Sequence, residues 1–204
     1  VLRSNYLQTQ AISMMETLKG PRIGAKQHFI AVLEANGILN RELEHLPDAE
    51  TLTERRNNGE GLTRPELSVL LSYSKIVTYQ QLLASDLPED EYLSRELVRY
   101  FPTALQTRFA DVMQGHRLKR EIIATQVTNS MINRMGVSFA MRMSEDTGAE
   151  PAVVAKAFTI AREIFAAREF WADVESLDSR VSAALHTMAM RAMWNLLRQA
   201  TRWV

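Results

Sequence analysis

Apolar residues recur at steps of three and four along nearly all of this 204-residue sequence, the spacing that puts them on one face of an α-helix. No stretch sustains the period-two alternation of a half-buried strand between Asn-Gly or Asp-Gly turns, and the β-branched residues are scattered. The pattern predicts an all-α fold, an irregular bundle of about eight to ten helices with no sheet. Without an internal repeat, a solenoid is not expected.

Punctuation sets the boundaries. A first helix is expected over 4–18, ended by Gly20-Pro21, and a second from Ala25 to Gly37. A short helix over 40–45 should be followed by one running from an Asp48 cap to Gly59. The strongest local signal is Thr63-Arg64-Pro65-Glu66, in which hydroxyl and carboxylate can each satisfy a free amide of the first turn while proline tolerates that turn. The long helix it opens has two apolar faces, Leu67, Leu70, Leu71, Val77 and Leu82 against Val69, Tyr73, Ile76 and Leu83, which predicts a place in the middle of the bundle. Further helices are expected from Asp86 to Phe101, from Pro102 to Met113, from His116 to Met135 before Gly136, and from Ser138 to Asp146. Pro151 opens a helix carrying Val154, Phe158, Ile160, Ala161, Ile164 and Phe165, and Asp178 is expected to cap a last helix reaching nearly to Trp203.

Twenty-four basic residues balance twenty-four acidic ones, so bulk charge draws the chain neither to nucleic acid nor to an anionic membrane. The absence of cysteine removes disulfides, thiolate nucleophiles and cysteine-ligated metals, and suits the cytoplasm. Gly59-Glu60-Gly61 continues into Arg64 with no strand before it, so it reads as a helix-to-helix turn rather than a dinucleotide loop. Glu42 and His45 have the Glu-x-x-His spacing of di-metal bundles, but such a site needs the motif twice and no second copy exists. The basic run from His116 to Arg120 lacks aromatic interleaving and reads as a solvated face or a contact with another domain. No catalytic, cofactor-binding or metal-binding residue is assigned.

Two polar stripes remain. Thr125, Asn129 and Asn133 lie four residues apart on an otherwise apolar helix, either buried and partnered or on a solvated flank. On the last helix Thr187, Arg191, Asn195, Arg198 and Arg202 share one face, while Val181, Leu185, Met188, Met190, Met193, Trp194 and Leu197 occupy much of the rest. So much apolar surface should be covered on more than one side. Arg191, Arg198 and Arg202 are the candidate contact residues toward another domain or subunit, since planar guanidiniums suit carboxylates on a facing surface.

Several segments together resemble the C-terminal region of the very large bacterial NAD-dependent glutamate dehydrogenases. They are Asn5-Tyr6-Leu7-Gln8-Thr9-Gln10-Ala11, Gly61-Leu62-Thr63-Arg64-Pro65-Glu66-Leu67, Ser85-Asp86-Leu87-Pro88, Tyr100-Phe101-Pro102, Arg120-Glu121-Ile122-Ile123-Ala124-Thr125, Asn133-Arg134-Met135-Gly136 and Thr201-Arg202-Trp203. The set runs in order over almost the whole chain. The resemblance implies a single helical C-terminal domain over 1–204, with 1–20 a junction helix after an upstream catalytic domain, in an enzyme that oxidises L-glutamate to 2-oxoglutarate and ammonia with NAD and forms a homo-oligomer. A sequence that opens without methionine and almost directly into a helix agrees with a piece of a longer polypeptide. The family's catalytic lysine and glycine-rich segments have no counterpart here, so the resemblance carries over no cofactor and no catalytic residue, and implies a part in assembly, stability or regulation. A free-standing helical adaptor and a metal-binding bundle enzyme are the alternatives from other classes.

Overall fold

The computed structural model describes residues 2–17, 23–177 and 180–204, and every described element is helical. Twelve α-helices occur among them: α1 (Leu2–Thr17), α2 (Ile23–Ala35), α3 (Ala49–Asn57), α4 (Arg64–Ala84), α5 (Ser94–Tyr100), α6 (Thr103–Gln106), α7 (Ala110–Gln114), α8 (Lys119–Met135), α9 (Phe139–Thr147), α10 (Pro151–Ile164), α11 (Ala167–Ser176) and α12 (Ala183–Trp203). The expected Gly20-Pro21 stop and the Asp178 cap lie outside the described residues.

Local signals that need only a few neighbouring residues match the structure. The Asp48 carboxylate accepts from the Thr51 amide at 2.7 Å and starts α3. Thr63 and Glu66 form the capping box of α4. Its halves are unequal. Glu66 Oε2 accepts the Thr63 N–H at 2.7 Å, and the same carboxylate takes two hydrogen bonds from Arg55 of α3 at 2.9 and 3.0 Å. Glu66→Ala should therefore cost about 2 kcal/mol, and Thr63→Ala less than about 1 kcal/mol, because only the first also breaks the α3–α4 tie. Equal denaturation midpoints for the two variants would contradict this ordering.

Signals that depend on distant partners were displaced. Residues 40–45 form turns rather than a helix, since the Asn40 side chain accepts the amides of Glu42 and Leu43 at 3.0 Å and His45 has left-handed backbone angles. From Asp86 the chain makes two 3-10 turns, Leu87–Glu89 and Glu91–Leu93, and α5 starts only at Ser94, because Leu87, Pro88 and Leu93 are buried as anchors. The helix expected from Pro102 splits into α6 and α7 at Phe109, whose φ of −125° is not helical. α12 begins at Ala183, with the Ser182 hydroxyl accepting from the Leu185 amide at 3.3 Å. The segment after Pro151 makes two helices, α10 and α11, because Ala166 adopts a left-handed conformation at φ 46°.

The middle of the bundle belongs to α8, not α4. α8 packs against α1, α4, α5, α9, α10 and α12, burying Ile123, Ala124, Val127, Met131 and Ile132 completely. α4 buries one face through Leu67, Leu70, Leu71 and Leu82, and leaves Ile76 exposed on the other. At the end of α8, Gly136 turns the chain at φ +89°, and the loop is pinned from both sides. Trp194 Nε1 of α12 donates to the Met135 carbonyl, and the Ser74 hydroxyl of α4 donates to the Val137 carbonyl, both at 2.8 Å. α12 closes the bundle with Met190, Met193, Trp194 and Leu197 buried.

Candidate functional site

An arginine lies in the apolar stripe of α10. Ala155, Phe158 and Arg162 follow one another along the buried face, and Arg162 is fully buried. Its charge is met by Glu96 of α5, itself only 1% exposed. Arg162 Nη2 donates to Glu96 Oε1 at 2.8 Å and Nη1 donates to the Ser130 hydroxyl of α8 at 2.7 Å. The left-handed turn at Ala166 brings Arg168 of α11 onto the same carboxylate, with Nη2 donating to both Glu96 oxygens at 2.7 and 2.8 Å. Arg99 adds a further hydrogen bond at 3.0 Å.

Glu163 is the second acceptor. It takes Arg162 Nη2 at 2.8 Å, Arg168 Nε at 3.1 Å and Arg99 at 3.4 Å, with Arg95 at 3.5 Å. Four guanidiniums thus surround two carboxylates and join α5, α8, α10 and α11. Burial alone would raise the Glu96 pKa, but the charges of Arg162, Arg168 and Arg99 outweigh it and hold the carboxyl below its ordinary range. For Glu163 the same contest, burial against Arg162 and the hydrogen bonds of Arg168 and Arg99, ends at a pKa of about 2. The cluster fixes the relative placement of four helices and holds two carboxylates ionised.

Beside it, α5, α8 and α11, with Leu7 of α1, border an open cleft of about 440 Å³. Arg99 and Arg168 line it, with Gln126, Asn129 and Asn133 from α8. The polar ladder expected on α8 is therefore neither a partnered core nor a solvated flank. Thr125 and Asn129 face a neighbouring cleft beside Lys75 and Tyr79, Asn129 and Asn133 face this one, and the Asn133 Oδ1 atom is buried without a partner.

The arginine stripe of α12 is divided. Arg198 lies 5.7 Å above the Trp194 ring, Arg202 reaches Asp146 at 4.0 Å, and both border a small cavity floored by Met14, Met15, Met143 and Trp194. Arg191 is exposed about two to three turns before them, on a groove lined by Thr187, Met188 and Asn195. Leu185 and Met188 are exposed, so the first half of α12 is not covered on more than one side within the described residues. In the basic run, Arg120 caps the end of α4, donating to the carbonyls of Leu83 and Ser85 at 2.8 and 3.0 Å and pairing with Glu89 at 2.7 Å. Glu42 and His45 are exposed.

Sequence reading passed over Glu96, Arg162, Glu163 and Arg168, because charged residues of alternating sign read as solvated faces. The available signal was register: Glu96 lies three residues after the buried Leu93 of the preceding 3-10 turn, and Arg162 four after Phe158 on the buried stripe of α10.

The family model for the C-terminal region of glutamate dehydrogenase matches residues 59–204, which include the whole cluster. The chain belongs to this glutamate dehydrogenase C-terminal family. The NAD-specific glutamate dehydrogenases of Halomonas elongata and Pseudomonas aeruginosa are each 45% identical to it over 203 residues. That of Mycobacterium tuberculosis is 33% identical over 175 residues. The first two matches cover 100% of this chain but only 13% and 12% of the relatives' own length, and the third covers 86% and 11%. No helix among the described residues is long and apolar enough to cross a membrane.

Acid should loosen this glutamate dehydrogenase C-terminal fold through the two carboxylates of the ion cluster, buried Glu96 and partly buried Glu163. Both have folded-state pKa values below their unfolded ones, so the stability they contribute is fully present above about pH 4.5. It declines as pH falls toward the folded value of about 2 for Glu163. Urea midpoints measured from pH 6 to pH 2.5 should fall steadily below pH 4.5, and a flat profile would show that the cluster carries no such linkage.

Proposed function

We propose that this chain is the non-catalytic helical C-terminal domain of a large NAD-dependent glutamate dehydrogenase, a single domain whose residues 1–20 form the junction helix behind an upstream catalytic domain. The whole enzyme oxidises L-glutamate to 2-oxoglutarate and ammonia, reduces NAD bound by that upstream domain, works in the cytoplasm and forms a homo-oligomer. The observation that carries the reading is the 45% identity over the full chain to NAD-specific enzymes of which it spans only 12–13%. The domain's own part is assembly, stability or regulation.

Within that reading, α12 supplies the contact surface. Its first half leaves Leu185, Met188 and Arg191 exposed together, and Trp203 is 90% exposed at its end. Apolar side chains beside arginines fit a protein surface that carries carboxylates. Charge reversal at Arg191, Arg198 and Arg202 in the full-length enzyme should weaken assembly or glutamate oxidation while circular dichroism stays helical. Wild-type assembly and turnover in the triple variant would reduce the stripe to a solvated face.

A further inference from the structure

We infer that the cleft between α5, α8 and α11 is a binding site for a small multivalent oxyanion, a molecule carrying carboxylate or phosphate groups. Charge is the first argument. Among the described residues Arg95, Arg99, Arg162 and Arg168 share Glu96 and Glu163, so the cluster as a whole has two more positive than negative charges; of these groups Arg99, Arg168 and Glu96 line the cleft, which leaves its wall one positive charge in excess. Arg134, which also borders the cleft, is already matched by Glu175 and by the Trp171 ring at 4.5 Å.

Donor inventory is the second argument. A guanidinium offers five N–H donors. Arg168 uses Nε and Nη2 on the two carboxylates, and no hydrogen bond to the described residues occupies its Nη1. The third argument is Asn133. This side chain is 8% exposed, it lines the cleft, and its Oδ1 has no hydrogen-bond partner. That oxygen is an acceptor and calls for a donor, so Asn133 serves an anion through its amide N–H2, a neutral donor on a residue that lines the cleft. Gln126 and Asn129 add two more amides on the same wall. Two partly exposed guanidiniums facing three amides across about 440 Å³ suit a compact anion with more acceptors than one carboxylate supplies.

The test is hydrogen–deuterium exchange of the full-length protein at constant ionic strength, with pyrophosphate in one arm and succinate in the other. Saturable protection of peptides covering 96–99, 126–134 and 168–171 is the expected result. Protection by pyrophosphate alone identifies a phosphate ligand, by succinate alone a carboxylate ligand, and by both a site selected by charge. Arg99→Gln, which retains the fully buried part of the cluster, and Asn129→Leu, which fills the cleft, should each weaken the apparent affinity at least about tenfold. The inference is overturned if neither probe protects these peptides or if both variants are protected like the wild type. Complete protection before any probe is added would also overturn it, since the cleft would then be filled by the rest of the long chain.

Discussion

Replacing Glu96 with glutamine should destabilise the fold by about 3–5 kcal/mol, the range found when one partner of a buried ion pair is removed. For a domain of this size that lowers the melting temperature by roughly 6–20 °C. The substitution keeps the shape and removes one charge, so packing contributes little to the loss. It leaves Arg162 fully buried with Glu163 as the remaining carboxylate of the cluster and only neutral oxygens, those of the new amide and of Ser130, beside it, among three other guanidiniums. Arg162→Met is the informative contrast. It removes one of four positive charges, and Glu96 still accepts from Arg168 and Arg99 while Glu163 still accepts from Arg168, Arg99 and Arg95. Its cost should be about 1–3 kcal/mol, clearly below that of Glu96→Gln. A larger loss for Arg162→Met would mean that the cluster is not short of negative charge, and would also weaken the case for an anion in the adjoining cleft.

What the sequence made legible was whatever a few adjacent residues decide. Thr63 and Glu66 announce α4 because both halves of the box lie within one turn, and Gly136 marks the end of α8 because few other residues take its backbone angles. The break at Ala166 left no mark, since Phe165-Ala166-Ala167 contains neither glycine nor proline and scores as helix. Its reason is tertiary: the turn lets Glu163 and Arg168 meet five residues apart and lets Arg168 reach Glu96, which is 72 positions away. The cluster was hidden for the same cause, as Glu96 and Arg162 are 66 positions apart and each looks locally like an ordinary helix-surface charge. The arginines of α12 were legible as a stripe, but not that Arg198 and Arg202 border one cavity while Arg191 borders a separate groove.

Phe158→Ala should destabilise the fold about as much as Glu96→Gln, by about 3–5 kcal/mol, for a different physical reason. Phe158 is completely buried on α10 and meets Phe139 of α9 edge to face, with ring centroids 6.2 Å apart. Truncation removes the transfer free energy of the ring, the aromatic pair and the contacts that fill the space between α9, α10 and α8. It also unseats the helix turn that carries Arg162, one turn further along the same face, so part of the cost should appear as weakened ion pairing. Ile164 is the control. The same apolar periodicity that marks Phe158 in the sequence also marks Ile164, yet Ile164 is 66% exposed just before the Ala166 turn. Ile164→Ala should therefore change stability by no more than about 0.5 kcal/mol. Urea titrations of the two variants side by side decide the matter. Comparable losses would mean that Ile164 is covered in the protein and that α10 continues the buried stripe past Arg162, whereas a loss confined to Phe158→Ala fixes the end of the core at the ion cluster.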